Sequence, residues 1–205
     1  MARTGSLVLA MAALWLCACG GEGGSAPKKA AAKAPEPVGG QTAAFRMYGM
    51  ARQWAQDVQM LRMENFNIDE VKGAEGTAGA WRAVFVSRQL GKQREFSFAA
   101  AESRAINLKA GVFAQTPVDY VGSPQLKPFP MAALKIDSTK AYEVAVKESA
   151  EYIKKHPGTP VQFELSFTDR TPNTAWRVVW GPSIGRSDYS VFVDASTAFY
   201  MGRSR

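Results

Sequence analysis

Two residue types are scarce in this chain of 205 residues, and their scarcity excludes several kinds of chemistry. Its two cysteines are Cys17 and Cys19, and its single histidine is His156. The rest of the chain therefore offers no disulfide framework, no zinc-thiolate centre and no cysteine nucleophile. A lone histidine provides no His pair for a metal ion. We accordingly expect no catalytic residue, no metal ligand and no cofactor, and predict that the protein is not an enzyme.

Long apolar segments are also missing. The continuous apolar run from Leu7 to Leu16 has 10 residues, far fewer than the ~20 that a membrane-spanning helix needs. It follows Arg3 and ends at Leu16-Cys17-Ala18-Cys19. A positive start, a short apolar segment and a small residue before the cut are typical of a secretory signal. The pattern predicts an exported protein from which residues 1–18 are removed.

The tetrad Leu16-Cys17-Ala18-Cys19 resembles the bacterial lipobox, in which a branched apolar residue lies three places before the modified cysteine. The resemblance implies that Cys19 becomes an acylated N-terminus, carrying palmitate or a similar chain, and anchors the protein to the membrane of the cell envelope. Cys17 stands where Ala, Ser or Thr is usual, so it remains the alternative acylation site. Gly20, in place of Asp, resembles lipoproteins that are sent to the outer membrane. In a cell with two membranes, the protein would then face the periplasm.

The formal net charge is +7, but no run of five like charges occurs. Such a balance can attract anionic lipid, envelope polysaccharide or nucleic acid, whereas scattered Lys and Arg more often serve solubility. Export argues against nucleic acid as a partner. The composition does not indicate an oligomeric state.

Residues 19–42 consist mainly of Gly, Ala, Pro and Lys, and Val38 is their only large apolar side chain. Such a segment cannot build a core, which predicts a flexible tether. An internal repeat follows, since residues 47–98 align with residues 142–193 at a constant offset of 95 without a gap. The alignment is anchored by Ala80–Phe85, which match Ala175–Trp180. It predicts a duplication, with a first unit at 43–114 and a second at 137–205.

Each unit shows a helical period of 3.6 followed by an alternating period of 2. In the first unit we predict a helix from a cap at Thr42 to Leu61 or Arg62, and in the second a helix from a cap at Ser138 to His156. The predicted strands are 66–72, 81–87, 94–100 and 106–113, then 161–167, 176–180, 189–193 and 198–201. The fold class is therefore α+β, a tandem repeat of one helix packed on a three- to four-stranded antiparallel sheet. The connector 115–136 is rich in proline, so we expect a stiff, extended segment across the surface.

The second unit, Thr139 to Met201, resembles the PepSY module. The residues that carry the likeness are the helix with alternating Ala and charge, the strand that starts at Trp176, and Tyr189–Thr197 with its Asp-Ala-x-Thr turn. Ala198 stands where a Gly usually follows. The resemblance implies a small helix-plus-sheet module of exported bacterial proteins, which binds or restrains other envelope proteins, including proteases, and has no catalytic residues.

Trp54, Trp81, Trp176 and Trp180 could form a stacking platform, but Trp81 and Trp176 alternate in phase with apolar neighbours, which favours core packing. Trp180 ends its strand beside Gly181, so Trp180 and Tyr189 are the candidate ligand or partner contacts. Paired carboxylates such as Asp69-Glu70, or Glu143 with Glu148, can be selected only arbitrarily.

These observations predict a non-catalytic lipoprotein of the cell envelope that acts as a protein-interaction or regulatory accessory. One alternative is a lipoprotein that binds a small ligand in a pocket between sheet and helix. A less favoured alternative is a hydrolase of unrecognised type.

Overall fold

The structure is a computed structural model that describes residues 34–204. The predicted signal peptide, both cysteines and most of the predicted tether lie outside the described residues. The described chain is α+β, with a nine-stranded antiparallel sheet, a two-stranded ribbon and three α-helices. The strands are β1 (Val38–Gly39), β2 (Gln59–Phe66), β3 (Thr77–Ala78), β4 (Ala80–Ser87), β5 (Lys92–Ala99), β6 (Gly111–Ala114), β7 (Val118–Asp119), β8 (Val161–Ser166), β9 (Ala175–Trp180), β10 (Tyr189–Asp194) and β11 (Tyr200–Ser204). The helices are α1 (Gly40–Trp54), α2 (Ser138–Glu148) and α3 (Ala150–Lys155), with a 3₁₀ turn at Met131–Ala133.

One sheet runs through both halves of the chain. Its strand order is β11-β10-β9-β8-β2-β4-β5-β6, with β7 paired to β5, while β1 and β3 form the separate ribbon. The halves meet where β2 pairs with β8, and Glu64 lies opposite Glu164 there. Beside this junction Asn65 Oδ1 accepts a hydrogen bond of 2.7 Å from the amide of Phe163. A side chain thus extends the strand pairing where the backbone ladder ends.

The core lies between the sheet and helices α1 and α2. Strands β4 and β9 place Trp81, Phe85 and Trp176 on the helix side, where each side chain is fully buried. The helices place small residues against this side of the sheet, including Ala43 and Ala141, which are also fully buried. Small side chains on the helices let their backbones approach the large rings of the sheet closely.

In the first half, two sequence-based predictions are wrong. Helix α1 begins at Gly40, with Gly39 as its N-cap, and it ends at Trp54 instead of continuing to Leu61 or Arg62. The strand expected at 66–72 is β2, which ends at Phe66. At the start of β2 the apolar residues fit both the helical period of 3.6 and the strand period of 2. The pairing of β2 with β4 and β8 selects the strand.

In the second half, Ser138 is the first residue of α2, and Asp137 holds the cap position. The single helix expected to reach His156 is interrupted at Ser149, after which α3 begins. The last strand begins at Tyr200 because Ala198 adopts a left-handed conformation with φ of 62°. The first-half strand expected at 106–113 is confined to β6.

The two halves repeat the order of helix and strands, but not without a gap. The offset of 95 relates β4 to β9, so Ala80 corresponds to Ala175. Phe66 pairs with Ala80, and Ser166 pairs with Ala175, so Phe66 corresponds to Ser166 and the offset between β2 and β8 is larger than 95. The ungapped match of Phe66 to Val161 is therefore wrong. Helix α3 lengthens the second half before β8, and a shorter link between β8 and β9 restores the offset.

The proline-rich connector is more than a surface strap. Its β7 pairs with β5, and Phe129 exchanges two backbone hydrogen bonds with Met60, of 2.9 and 2.8 Å. The Phe129 side chain is buried in the main core. The connector therefore supplies core volume as well as reach.

Candidate functional site

On the face of the sheet opposite the helices, four charged side chains lie in a row across the junction. The strand register places Arg82 opposite Glu64, Glu64 opposite Glu164, and Glu164 opposite Arg177. Arg82 Nε lies 2.5 Å from Glu64 Oε1, and Arg177 Nη1 lies 3.5 Å from Glu164 Oε2. We call these four residues the charged row. It has the same residue types on both sides of the junction.

The two carboxylates of the charged row differ in environment. Burial raises the pKa of Glu164 above its ordinary value, Arg177 opposes the rise, and Glu64 on the neighbouring strand adds to it. Side chains directly opposite on adjacent strands have Cβ atoms about 5 Å apart, so the two carboxylates repel each other. Arg177 is held further by Ser187 Oγ, at 2.9 Å, and by Ser190 Oγ, at 3.2 Å. These bonds hold the Arg177 end of the charged row in place.

A groove of about 540 Å³ lies over three members of the charged row, Glu64, Arg82 and Glu164. Phe66 and Asn67 line it together with the loop segment Pro182–Gly185. We call it the junction groove; its further lining residues are Arg62, Glu64, Asn65, Arg82, Gln162 and Glu164. Because each glutamate is already bonded to a guanidinium, the arrangement is suited to presenting charge and hydrogen bonds. It is less suited to proton transfer, which needs a carboxyl free to exchange its proton.

A second concave site, the α3 pocket, has a volume of about 330 Å³. Its lining residues are Glu148, Ser149, Glu151, Tyr152, Lys155, His156, Asp188, Tyr189 and Arg203. The ring of Tyr152 stacks on Tyr189 at 4.4 Å on one side and on His156 at 4.5 Å on the other. This three-ring stack joins the end of α3 to the start of β10. His156 is the C-cap of α3.

One buried polar atom beside the α3 pocket has no hydrogen-bond partner. Ser149 is 2% exposed, and within residues 34–204 its Oγ is the buried side-chain atom without a hydrogen-bond partner. Burial raises the pKa of Tyr152, and the nearby charge of Asp188 adds to the effect. The break between α2 and α3 therefore leaves a buried hydroxyl beside a cavity whose wall contains a perturbed phenol.

The candidate contacts Trp180 and Tyr189 are each only 3% exposed. Trp180 follows Trp176 and Val178 onto the buried side of β9 and packs near Tyr152 and Tyr189, so its ring is not an exposed contact. Tyr189 lines the α3 pocket, so its contact with a ligand stays a prediction. Cys19 lies outside the described residues.

The core interpretation of the other tryptophans is confirmed for Trp81 and Trp176. Their ring centroids lie 6.1 Å apart in an edge-on arrangement. Trp81 Nε1 donates to Val38 O at 3.0 Å, and Trp176 Nε1 donates to Ile136 O at 2.8 Å. Each acceptor lies two residues before the start of a helix, so both indoles fix the entry of a helix onto the sheet.

Sequence reasoning missed the charged row. Its signal was the sequence Ala-Trp-Arg in both units, because an arginine directly after an inward tryptophan on a strand must face outward. The glutamates could be found only from the pairing of β2 with β8. Among the carboxylates considered earlier, Glu143 pairs with Lys140 at 2.6 Å on the surface of α2, and Glu148 lines the α3 pocket.

Within residues 34–204 no helix has the length and apolarity needed to cross a membrane. The same residues hold no group of three or more His, Cys, Asp or Glu side chains placed to bind a metal ion.

No protein-family model matches the chain, and no curated protein matches its sequence. Among solved structures, one similar protein is a provisionally assigned lipoprotein from Clostridium difficile 630, with a TM-score of 0.45 and 10% sequence identity. The match covers 79% of this chain and 91% of that protein. A likeness at this level assigns neither a family nor a function.

Proposed function

We propose that this chain is a lipid-anchored accessory protein of the bacterial cell envelope, which binds another envelope protein through the junction groove and performs no catalysis. The observation that carries the proposal is the part of the charged row that lines the groove, namely Glu64, Arg82 and Glu164. Arg82 is 49% exposed in its side chain, whereas Glu64 is 12% exposed. Arg62 is exposed at the same groove. The groove therefore presents guanidinium groups to solvent and shields its carboxylates.

An acidic polypeptide segment is the partner that this surface suits. Guanidinium groups bind carboxylates through two parallel hydrogen bonds, and Arg is enriched at the centres of protein interfaces. The pre-formed ion pair of Arg82 with Glu64 limits the side-chain freedom lost on binding. A partner with two or three carboxylates along an extended strand would pair with Arg62 and Arg82.

The lipid anchor rests on the lipobox resemblance at Cys19. An anchored domain with a flexible tether would reach partners at or near the membrane surface. Mass spectrometry of the protein purified from bacterial membranes tests this part. We expect an N-terminal fragment that begins at Cys19 and carries acyl chains. Cys19→Ala should abolish both processing and acylation, and Cys17→Ala should leave them intact; the reverse result would assign the lipid to Cys17.

We further propose that the two halves arose by duplication of one PepSY-like unit. Three matched features support this: the indole bonds of Trp81 and Trp176, the outward arginines Arg82 and Arg177, and the glutamates paired with them. The junction groove would then be a surface created by joining the two units, absent from either alone.

Photo-crosslinking in intact cells tests the proposed binding surface. A photoreactive residue at Asn67, in the wall of the groove, should give a discrete protein adduct. The same residue at Lys147, on the exposed side of α2, serves as the matched control and should give none. Equal adducts from both positions, or none from Asn67, would contradict a role for the junction groove.

A further inference from the structure

We propose that the end of the molecule formed by the β4–β5 turn and the connector inserts into the anionic surface of a lipid bilayer. Three apolar side chains are exposed there, Leu90 by 51%, Val118 by 54% and Val121 by 85%. We call them the apolar tip. The inference uses the proposed lipid anchor to bring a bilayer within reach. It does not depend on a protein partner at the junction groove, which shares no residue with the tip.

The apolar tip is built from two segments that are distant in sequence and held together by their backbones. Strand β7 of the connector pairs with the start of β5. Beyond this pairing the amide of Tyr120 donates to Gly91 O at 3.0 Å, so the two segments stay in register. The same register brings Val121 level with Leu90 in the β4–β5 turn. Exposed apolar side chains that are grouped in this way mark an interaction surface.

The charges beside the apolar tip favour an anionic partner. Arg88 is exposed and takes part in none of the ion pairs in the part of the chain that the structure describes. The two carboxylates near the turn are already engaged. Asp57 accepts hydrogen bonds from Ser87 Oγ at 2.6 Å and from a turn amide at 2.9 Å, and Asp119 pairs with Lys92 at 2.6 Å. A free guanidinium beside exposed apolar side chains suits phosphate headgroups above an acyl layer.

The predicted tether has the length that such a contact needs. The described chain enters through β1 at the N-terminal end of α1, and the bonds of Asp57 to the β4–β5 turn place the tip at the other end of that helix. Helix α1 has 15 residues and is therefore about 22 Å long. As a coil, residues 20–39 would average about 25 Å end to end. A tether that matches its span gives the highest effective concentration, so even a weak contact of the tip would be occupied.

The opposite end of the sheet provides a matched comparison. Ile106 lies in the loop between β5 and β6 and is 54% exposed, like Val118. Its loop follows Ala99, which pairs with Ala80 just after β3, so it lies at the end where the tether enters. A protein held by the tether alone would have this end nearer the bilayer. Insertion of the apolar tip requires the reverse orientation.

A polarity-sensitive fluorophore at each end tests the proposal. The sequence has no cysteine besides Cys17 and Cys19, so Val121→Cys and Ile106→Cys each place one nitrobenzoxadiazole probe. The labelled protein is purified from membranes in mild detergent and reconstituted into vesicles of phosphatidylcholine, with or without phosphatidylglycerol. We expect brighter, blue-shifted emission at position 121 that requires phosphatidylglycerol, and aqueous emission at position 106. The unmodified protein, labelled in parallel, gives the background.

Variants then test the apolar and the charged part of the contact. In the protein labelled at position 121, Leu90→Asp should return the emission to its aqueous value, whereas Ile106→Asp should leave it shifted. Arg88→Gln should lower the partitioning of the tip about fivefold, the factor that one basic residue contributes near an anionic surface. Arg104→Gln, in the exposed loop at the opposite end, should leave the partitioning unchanged.

Flotation of the vesicles reports the lipid anchor separately. A protein that floats while the probe at position 121 stays in water overturns this inference and leaves the anchor intact. A protein that does not float contradicts the anchor; the probe is then measured at an excess of vesicles, where unshifted emission overturns the inference as well. Equal shifts at positions 121 and 106 would also overturn it, because a basic protein would then be adsorbing without a preferred orientation.

Discussion

Among single residues, Trp81 and Trp176 explain most about how the sheet holds its helices. Each ring fills the core and each indole bonds the carbonyl before a helix. Their burial could be predicted from the alternation of apolar residues in the strands. Their hydrogen bonds could not, since the acceptors Val38 and Ile136 are 43 and 40 residues away in sequence.

Replacing either tryptophan by phenylalanine tests the paired role. Trp81→Phe and Trp176→Phe should each lower the free energy of unfolding by about 1–3 kcal/mol, because a partly buried carbonyl loses its partner and the core loses volume. Urea denaturation measures the loss. Trp54→Phe is the control, since Trp54 is only half-buried and should cost less. A cost for Trp54→Phe as large as for the other two would contradict this account.

Asp194 sets the acid stability of the turn before β11. Its carboxylate accepts hydrogen bonds from the amides of Ser196 and Thr197, at 2.8 and 2.9 Å, and from Asn173 Nδ2 at 2.9 Å. Burial acts to raise the pKa of Asp194, but these bonds outweigh it and lower the pKa below its ordinary value of 3.8. A lowered folded-state pKa means that the stabilisation is full above the unfolded-state pKa. It is lost as the pH falls through the folded-state pKa.

Asp194→Asn should therefore lower stability at neutral pH by about 1–3 kcal/mol and flatten its decline below a pH of about 4. Urea midpoints measured over a pH series give both quantities. Asp119→Asn is the control. The pKa of Asp119 is also lowered, by its hydrogen bond and charge interaction with Lys92, but the carboxylate is fully exposed, so its replacement should have little effect. Unchanged acid sensitivity of the Asp194 variant would contradict the assignment.

Among the elements, the presence of helices and strands with one clear period could be predicted from the sequence, but the exact residues at which they begin and end could not. Strands β4, β5, β8, β9 and β10 lie within a few residues of their predicted positions. Residues 59–62, which begin β2, were assigned to the helix because over a few residues their apolar side chains fit either period. Strand β2 forms through pairing with β4 and β8, which is a property of the sheet and not of local sequence.

Two glycines of α1 provide a matched test of how that helix packs. A Cβ at Gly40 would lie 2.5 Å from Cη2 of Trp176, whereas a Cβ at Gly49 would meet nothing within 4 Å. Gly40→Ala should therefore destabilise the protein by about 1–3 kcal/mol through overpacking. Gly49→Ala should stabilise it by about 0.5–1 kcal/mol, because alanine favours a helix.

Thermal unfolding of the two glycine variants, followed by circular dichroism, measures both changes. The opposite signs are the important result, since both substitutions are chemically identical and lie in one helix. Stabilisation by Gly40→Ala would contradict the close approach of α1 to the Trp176 ring.

For the whole molecule, the main finding is that one sheet spans both halves. The sequence repeat could predict two similar units, but not their joining through β2 and β8, because the pairing registers have no local signal. The charged row could not be predicted either, because its members come from four strands whose pairing registers have no local signal. The α3 pocket was hidden by the unexpected helix break at Ser149.

A shared sheet predicts that the halves unfold together. Asn65→Leu removes the acceptor for the buried amide of Phe163 at the junction and should lower the free energy of unfolding by about 1–3 kcal/mol. The transition should remain single and should coincide by fluorescence and circular dichroism. Two separate transitions in the unmodified protein would show that the halves are independent. Asn67→Leu, at an exposed position nearby, is the control and should have a small effect.

The account rests above all on the junction groove as a binding surface, and its most direct test is the affinity of the full chain for the partner that crosslinks at Asn67. Arg62→Glu with Arg82→Glu should weaken that affinity by more than about tenfold, and high salt should reduce the difference. Lys154→Glu, which changes charge on the exposed side of α3, should leave the affinity as it was. Equal affinities for the double variant and the unmodified protein would contradict the account.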